Sequence, residues 1–411
     1  MTSSRHIRTT ALGLAALAFM ATSNAVAAPD EALLGADRGY PIGSSKDWWR
    51  EEFAVGTHSN FDKLFPAHSI PKAPSTSTLR NVAEQPRISY QSDSGEKTVE
   101  DYLNQTRTTA LLILKDDQIL LEHYQYRRAA TDKFTSWSMA KSLLSLLMGV
   151  ALSEGKISSL DDLVLKYVPE LANHPYGKTS LRQLLQMSSG IKYAENPPAG
   201  DGDGVKLVLG HVSRTISGGP GAVAHLNTSL NSAGKEFNYS SADTYVAGMA
   251  LQNALGKPLS DYMSEKIWSA IGAESEASWN TDKAGYDIAY AFFNATLRDW
   301  GRLGKLLAND GSLDGKAVIP RDYLLEATTP RGERMGFNKR NSDFGYGYQF
   351  WLLPGSTRQF VLIGTRGQYL FVDPNSKLVM VRFSVRKKWF DLDDENETRS
   401  LWNGIVQRFG H

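Results

Sequence analysis

The chain has 411 residues, 41% hydrophobic and 22% charged, so it is long enough to build a large core with an additional subdomain. Lysine and arginine (45) nearly balance aspartate and glutamate (44), which argues against binding to nucleic acid or to an anionic membrane through overall charge. The sequence contains no cysteine, which excludes disulfides, thiolate metal sites and a cysteine nucleophile.

The first 27 residues have the layout of a secretory signal peptide. Arg5 and Arg8 supply a basic start, residues 11–21 are apolar, and a small-residue cleavage site ends at Ala27. The apolar stretch is shorter than the roughly 20 residues that span a bilayer, so a membrane anchor is the weaker interpretation. We expect cleavage after Ala27, a periplasmic or secreted location, and no membrane span in the mature chain.

The next part of the chain changes from irregular to periodic. Residues 28–105 are rich in proline, serine and aromatic residues, and we expect them to form an N-terminal extension that packs on the main domain, residues 106–411. Two β-rich runs within residues 108–126 meet at Lys115-Asp116-Asp117 and predict a hairpin. The run from Ser138 to Leu152 is almost entirely apolar or small, which predicts a buried helix.

Helical patterns then alternate with β-rich runs to the end of the chain. Further helices are predicted over residues 180–189, 241–256, 259–272, 294–310 and 399–409. Strands are predicted over residues 346–353, 358–365, 368–374 and 377–385. The order predicts an α/β (α+β) fold with one sheet completed by both ends of the chain and a helical subdomain at about residues 138–290.

Two other segments have candidate functions. Residues 195–235 are glycine-rich and aperiodic, which predicts a lid over an active site; the GDGDG within them lacks the following lysine and hydroxyl residue of a phosphate loop. The acidic run 391–397 lacks the turn glycine of an EF-hand loop, so we interpret it as a solvated charge run. Because no zinc-type histidine spacing and no G-x-S-x-G motif occur, we expect neither a metal nor an organic cofactor.

Ser138 and Lys141 lie in the segment SWSMAKS. Positions i and i+3 share one face of a helix, so the lysine amine can reach the serine hydroxyl. A lysine can act as the base for a serine nucleophile if burial lowers its pKa from roughly 10.4. The alternative is an ordinary helix from which Lys141 extends to the surface. Tyr239 lies just ahead of a predicted helix, where it could pass a proton between Ser138 and a leaving group.

Several motifs occur in a fixed order, namely SWSMAKS, LLQMSSGI, YSS, RDWGRLGKLL, YGYQFWL and GTRGQYLFVDP. In this order they resemble the serine β-lactamase and penicillin-binding-protein superfamily, class C-like branch, from about residue 54 onward. The segments VGTHSNFDKLFPAHSI, SWSMAKS and YVPEL are most similar to the 6-aminohexanoate-dimer (nylon-oligomer) hydrolases. The resemblance implies a β-lactamase/transpeptidase-like fold, an antiparallel sheet flanked by helices with an inserted all-helical subdomain.

The resemblance also implies roles for individual residues. Ser138 corresponds to the acylated nucleophile, Lys141 to the general base and Tyr239 to the tyrosine of the Y-x-N motif. The backbone N–H groups of Ser138 and Thr365 correspond to the oxyanion hole. The substrate-binding candidates are Ser241 in place of the motif's asparagine, Gly364, Arg366 and Tyr193.

The third motif of the superfamily, K-T-G or H-T-G, corresponds to Leu362-Ile363-Gly364. Leu362 lacks the cation that helps to hold the carboxylate of a β-lactam or D-alanyl peptide, although Arg366 could compensate if it points to the site. We therefore expect hydrolysis of a small-molecule amide or ester, with weak β-lactam turnover. The open alternatives are a promiscuous carboxylesterase, a D-alanyl-D-alanine carboxypeptidase, and a non-catalytic relative that binds cell-wall peptides.

Overall fold

The computed structural model describes residues 28–195, 201–330 and 344–410, and the expected signal peptide lies outside these ranges. The strands are β1 Ala67–Ile70, β2 Arg80–Asn81, β3 Ser89–Ser92, β4 Gly95–Thr98, β5 Thr108–Lys115, β6 Gln118–Tyr124, β7 Lys133–Thr135, β8 Ala277–Asn280, β9 Phe293–Thr296, β10 Ser312–Leu313, β11 Lys316–Ala317, β12 Gly345–Tyr346, β13 Trp351–Leu352, β14 Phe360–Gly364, β15 Gln368–Asp373 and β16 Leu378–Ser384. The α-helices are α1 Ala54–His58, α2 Phe61–Leu64, α3 Val99–Gln105, α4 Ala140–Ser153, α5 Leu181–Leu185, α6 Asp203–Val212, α7 Ser241–Leu255, α8 Leu259–Met263, α9 Leu297–Ala308, α10 Arg321–Ala327 and α11 Leu392–Phe409.

The main sheet is built by both halves of the chain. Its eight strands lie in the order β12-β13-β14-β15-β16-β5-β6-β2, and only the short pairing of β2 with β6 is parallel among the described strands. The hairpin β5–β6 turns at Asp116, whose φ of 55° is the left-handed value that such a tight turn requires. The predicted fold class is therefore confirmed. The C-terminal strands β12 to β16 lie beside the β5–β6 hairpin and complete the sheet.

Helices cover both faces of this sheet. α9 lies close to β5 and β16 because it presents glycines: a Cβ on Gly304 would come within 2.4 Å of Val379 Cγ1. On the opposite face α11 packs through Trp402, whose ring stacks on Phe371 with centroids 5.4 Å apart. The two faces thus form separate apolar layers, and the layer that contains α9 continues into the helical part of the molecule.

A buried glutamine joins the helices that carry the predicted site. Gln349 Nε2 donates to the carbonyl oxygens of Leu184 and Leu185 at 3.1 and 3.0 Å, and Gln349 Oε1 accepts from Thr244 Oγ1 at 2.7 Å. The Gln349 carbonyl accepts from Ser142 Oγ at 2.6 Å. Because these partners lie on α5, α7 and α4, one residue, through its side-chain amide and its main-chain carbonyl, fixes how α4 and α7 sit relative to each other.

The N-terminal segment contributes to the core around the nucleophile candidate. Trp48 packs against Trp137, the residue before Ser138, with ring centroids 6.1 Å apart, and against Phe61 at 5.4 Å. β1 pairs with β8 in a second sheet of order β1-β8-β9-β7. The boundary of this extension at residue 105 stays a prediction.

The C-terminal helix differs from the prediction. α11 begins at Leu392 rather than near Arg399, so the acidic run forms its first turns, where carboxylates interact favourably with the helix dipole. Asp394 accepts two hydrogen bonds from the guanidinium of buried Arg382, both 2.7 Å, and one from Arg386 at 2.9 Å. Interpreting the whole run as solvated charge was therefore wrong for Asp394.

Two smaller differences concern the helical middle of the chain. The helix expected over residues 180–189 is limited to α5, which ends when the chain turns at Met187 with a φ of 54°. The segment 195–235 is less irregular than expected, because it contains α6 and a 3-10 turn at Gly219–Ala222. Its role as a lid stays a prediction. Across the described ranges every helix is too short or too polar to cross a bilayer.

The pair formed by Asp394 and Arg382 generates a stability prediction. Burial raises the pKa of Asp394, but the two arginines outweigh it and hold that pKa below its ordinary value, so the carboxylate contributes stability above about pH 4 and loses it on further acidification. Asp394→Ala leaves a buried guanidinium uncompensated and should lower the free energy of unfolding by about 3–5 kcal/mol.

Urea unfolding followed by circular dichroism at neutral pH measures this loss. Asp393→Ala is the matched control, because Asp393 is exposed on the same helical turn. Equal midpoints for the two variants would contradict a structural role for the buried pair.

Candidate active site

Ser138 lies in a 3-10 turn, Trp137–Met139, that leads directly into α4. Trp137 has a φ of 46°, a value that bulky residues adopt rarely, so the surrounding packing must hold it there. The preceding residue is fixed to β9: Ser136 N donates to Phe293 O at 2.8 Å, and Phe293 N donates to Ser136 Oγ at 2.9 Å. These constraints leave Ser138 partly buried at the edge of a cavity.

Lys141 is on the first turn of α4 and is only 1% exposed, so it does not extend to the surface as the ordinary-helix alternative requires. Its Nζ lies 2.9 Å from Ser138 Oγ, 3.0 Å from Ser241 Oγ and 3.1 Å from the carbonyl oxygen of Tyr290. Burial lowers the pKa of Lys141 to about 8, against the opposing effect of the Glu195 carboxylate. A large fraction of the amine is therefore neutral at mildly alkaline pH.

Tyr239 immediately precedes the N-cap of α7 and lies over the lysine. Its ring centroid is 4.9 Å from Lys141 Nζ, and the ring stacks on Trp351 with centroids 5.4 Å apart. Burial and the nearby Glu195 carboxylate raise the pKa of Tyr239 above its ordinary value, and hydrogen bonding with Ser138 offsets only part of this. The phenol therefore keeps its proton and is equipped to donate it.

Glu195 belongs to the site although its sequence context gave no sign of this. Its Oε2 accepts from Ser241 N at 2.8 Å and its Oε1 accepts from Ser241 Oγ at 2.5 Å. A lone acid at the start of a glycine-rich segment carries no recognisable spacing. Tyr290 was missed for a different reason: it contributes a backbone carbonyl to Lys141, and sequence patterns do not distinguish one carbonyl from another.

The cavity beside Ser138 has a volume of about 260 Å³. It is lined by Ser138, Glu195, Tyr239, Trp351, Ile363, Thr365 and Phe390. Three of these side chains, Trp351, Ile363 and Phe390, are apolar, and Glu195 is the charged one among the described lining residues. The cavity therefore suits an apolar substrate chain with its polar reacting group at the Ser138 end.

The strand that corresponds to the third motif, β14, runs directly beside the turn that carries Ser138. A Cβ on Gly364 would come within 2.3 Å of the Ser136 carbonyl oxygen, so glycine is what allows β14 to approach the turn. Thr365 follows and lines the cavity, while the assignment of its N–H to an oxyanion hole stays a prediction. The side chain that lines the cavity is Ile363, whereas Leu362 is fully buried in the core.

The four substrate-binding candidates, Ser241, Gly364, Arg366 and Tyr193, lie outside the set of residues that line this cavity. The guanidinium of Arg366 packs over the ring of Trp389 at 5.4 Å and donates to the carbonyl oxygens of Arg386 and Lys387 at 3.3 and 3.4 Å. It therefore holds the loop that leads to Phe390. Tyr193 is buried, and its hydroxyl has no hydrogen-bond partner among the described residues.

The remaining candidates meet at one point. Ser138, Tyr239 and Ser241 surround the amine of Lys141. Gly364, at the end of β14, and Thr365, which follows it, approach from the sheet side. Among the described residues no three histidine, aspartate or glutamate side chains are grouped as a metal site would require. Ser138 offers a hydroxyl, Lys141 a buried amine that can act as a base, and Tyr239 a protonated phenol that can act as an acid.

Comparison with known proteins gives relatives that share this fold. A 6-aminohexanoate-dimer hydrolase of Paenarthrobacter ureafaciens is 28% identical over 316 residues, which are 75% of this chain and 78% of that protein. A solved Bacillus anthracis protein, described as a candidate 6-aminohexanoate-dimer hydrolase, superposes with a TM-score of 0.80 at 22% identity and covers 89% of this chain and 96% of its own.

A more distant solved structure is a family VIII carboxylesterase, with a TM-score of 0.57 at 17% identity, covering 74% of this chain and 95% of its own. Residues 96–401 match the Beta-lactamase family. This match spans most of the chain and includes the turn that carries Ser138, Tyr239 ahead of α7, and β14. The chain therefore belongs to the β-lactamase family and is a serine hydrolase.

Proposed function

We propose that this protein hydrolyses a small amide through an acyl-enzyme on Ser138, in a reaction similar to that of a 6-aminohexanoate-dimer hydrolase. The observation that carries the proposal is the 2.9 Å contact between Lys141 Nζ and Ser138 Oγ, made by an amine whose pKa burial lowers to about 8. Such an amine can accept the serine proton without a histidine.

Acylation uses the three groups in turn. Ser138 Oγ attacks the substrate carbonyl carbon while its proton passes to Lys141 Nζ, and the N–H groups of Ser138 and Thr365 stabilise the negative charge on the carbonyl oxygen. The tetrahedral intermediate then expels the amine. Tyr239 suits the proton transfer to this leaving nitrogen, because its raised pKa keeps the phenol protonated and Lys141 can restore its proton.

Deacylation repeats the chemistry with water as the nucleophile. Lys141, neutral again after its proton has left with the amine, takes a proton from water as the water attacks the acyl carbon. Ser138 Oγ then leaves the acyl carbon and takes the proton back from Lys141, which is neutral again. The same groups therefore serve both half-reactions, and the net change is the addition of one water across the amide bond.

The apolar wall of the cavity supports a substrate with an aliphatic chain beside the scissile bond. Trp351, Ile363 and Phe390 form that wall, and Glu195 is the charged side chain among the described lining residues. A carboxylate adjacent to the scissile bond would be repelled by this acid, which weighs against D-alanyl peptides and β-lactams. The runner-up is a carboxylesterase, which the same machinery serves because an ester differs only in its leaving group.

A different class of function, non-catalytic binding of cell-wall peptides, is disfavoured by the complete set of Ser138, Lys141 and Tyr239. We also propose that the protein is exported and loses residues 1–27. The support for export is the charge and hydropathy pattern of that segment.

Labelling with a fluorophosphonate probe tests the nucleophile. The wild-type chain should gain the mass of one adduct, whereas Ser138→Ala should gain none and lose turnover of 6-aminohexanoate dimer and p-nitrophenyl butyrate by about 1000-fold or more. The substrate that is hydrolysed at the higher rate, the amide or the ester, distinguishes an amidase from an esterase. No adduct and no turnover in the wild-type chain would favour the binding-protein alternative, and the intact mass reports whether residues 1–27 are removed.

The pH dependence of kcat/KM tests the base. Because Lys141 must be neutral to accept a proton and its pKa is about 8, activity should rise with pH and level off above a midpoint near that value. Initial rates with p-nitrophenyl butyrate, corrected with Ser138→Ala blanks, give the profile. Lys141→Arg should be inactive at every pH because a guanidinium stays protonated. A midpoint near pH 6.5, typical of histidine, would point to another base.

The apolar wall predicts a preference among acyl chains. Phe390 is 53% exposed, so Phe390→Ala should fold normally while removing one side of the cavity. The ratio of kcat/KM for p-nitrophenyl butyrate over the acetate should fall by about 3- to 10-fold, because each buried methylene contributes roughly 0.8 kcal/mol. Leu392→Ala, at a neighbouring exposed position outside the cavity lining, is the matched control; equal ratios in both variants would remove Phe390 from the substrate site.

A further inference from the structure

We infer that Glu195 is a positioning residue, which acts through Ser241 to aim the lone pair of Lys141 at the Ser138 hydroxyl. This inference rests on the proposed function, because it concerns the step in which Lys141 accepts the serine proton. It adds a fourth residue to the machinery, on a segment outside the three family motifs.

The direction of the hydrogen bond between Ser241 and Glu195 follows from what each group can donate. A carboxylate only accepts, so across the 2.5 Å contact the proton belongs to Ser241 Oγ. The second carboxylate oxygen accepts from Ser241 N at 2.8 Å, so both oxygens are directed at the same residue. A hydroxyl has one proton to donate. Ser241 Oγ must therefore act as an acceptor toward Lys141.

The remaining contacts of the amine then have only one arrangement. Neutral Lys141 has two N–H groups and one lone pair; the Tyr290 carbonyl takes one N–H at 3.1 Å, and Ser241 Oγ takes the other at 3.0 Å. The third contact, with Ser138 Oγ at 2.9 Å, is left for the lone pair. In this arrangement the serine donates its proton to the amine, which is the direction that nucleophilic attack requires.

Without Glu195 the Ser241 proton would be free to turn toward Lys141. The lysine lone pair would then accept from Ser241, and an N–H of the amine would face Ser138 Oγ. That arrangement stabilises the serine hydroxyl oxygen but does not accept its proton. The orientation of the Ser241 hydroxyl thus determines whether the Lys141 lone pair can accept the Ser138 proton. The Glu195 carboxylate selects the orientation in which it can.

Glu195 also has an electrostatic effect that opposes burial. Its negative charge raises the pKa of Lys141, while burial lowers that pKa by more. Removing the charge should therefore shift the pH profile toward acid, which by itself favours activity at neutral pH. Loss of the orienting hydrogen bond should at the same time reduce the plateau rate. A residue that merely supports the fold would not produce these two changes together.

The main chain holds Glu195 close to α6. Ala194 N donates to Asp203 Oδ2 at 2.9 Å, and Gly204 N donates to Ala194 O at 3.2 Å. A Cβ on Gly204 would come within 2.4 Å of the Glu195 carbonyl oxygen, so glycine permits this approach. Asp203→Asn is the matched control, since it removes a carboxylate from the same segment and keeps an oxygen that can accept from Ala194.

The test is a double-mutant cycle with Glu195→Gln, Ser241→Ala and the double variant, each measured as a pH profile of kcat/KM with p-nitrophenyl butyrate. In the Glu195→Gln variant an NH₂ group replaces one acceptor oxygen. The N–H and the hydroxyl of Ser241 can then no longer both donate to the side chain at position 195. This variant should lower the plateau by about 10- to 100-fold and move the acidic midpoint to lower pH. The double variant should be no slower than Ser241→Ala alone, because Glu195 acts through Ser241.

Three outcomes overturn the inference: multiplicative losses in the double variant, an unshifted midpoint in Glu195→Gln, or an equal loss in Asp203→Asn. Glu195→Ala replaces Glu195→Gln in the cycle if thermal unfolding reveals that the glutamine variant is not folded. Fluorophosphonate labelling of the wild-type chain distinguishes this failure from failure of the proposed function. If Ser138 is labelled while the cycle gives independent effects, the acyl-enzyme mechanism stands and only the role of Glu195 is wrong.

Discussion

The burial of one amine is the constraint on which the rest of this site depends. An ammonium removed from water is costly unless it is fully paired, and Lys141 meets three neutral hydrogen-bond partners rather than a carboxylate in direct contact within the described part of the chain. The neutral form is thereby favoured, and the pKa of the lysine falls to about 8, as the proposed role of a general base requires. The partners come from three separate parts of the chain, so this chemistry exists only when the helical part has packed around α4.

The architecture explains how such distant residues are held to within a hydrogen bond. Gln349 links α4 to α7, which fixes the turn that carries Ser138 relative to the helix that begins at Ser241. Gly364 lets β14 lie against the carbonyl of Ser136, which closes the site from the sheet side. Gln349 makes the first connection with its side-chain amide and its main-chain carbonyl, whereas the second depends on the absence of a side chain at Gly364. Both determine how the parts of the candidate site are placed relative to one another.

The sequence predicted the sheet, most helices and the Ser138-Lys141 pair, because these depend on local periodicity and on ordered motifs. It failed where long-range pairing decides the outcome. The first turns of α11 looked like a solvated acidic run because Arg382, the partner of Asp394, lies on a strand that precedes it. The third-motif correspondence places Leu362 at the position of the motif's cation, but Leu362 is fully buried, and only the three-dimensional path of β14 identifies Ile363 as the lining side chain.

Lys141 donates to the main-chain carbonyl of Tyr290, so this hydrogen bond does not depend on which side chain stands at position 290. Every amino acid supplies the same oxygen, so replacement of the side chain at this position does not remove an acceptor from the lysine. What it would remove is the 2.9 Å contact between the phenol and His211, a residue of α6. Lys141 and α6 are thus attached to Tyr290 through different atoms, the carbonyl oxygen and the phenol. Replacement of the Tyr290 side chain would loosen α6 while the amine keeps its three hydrogen-bond partners.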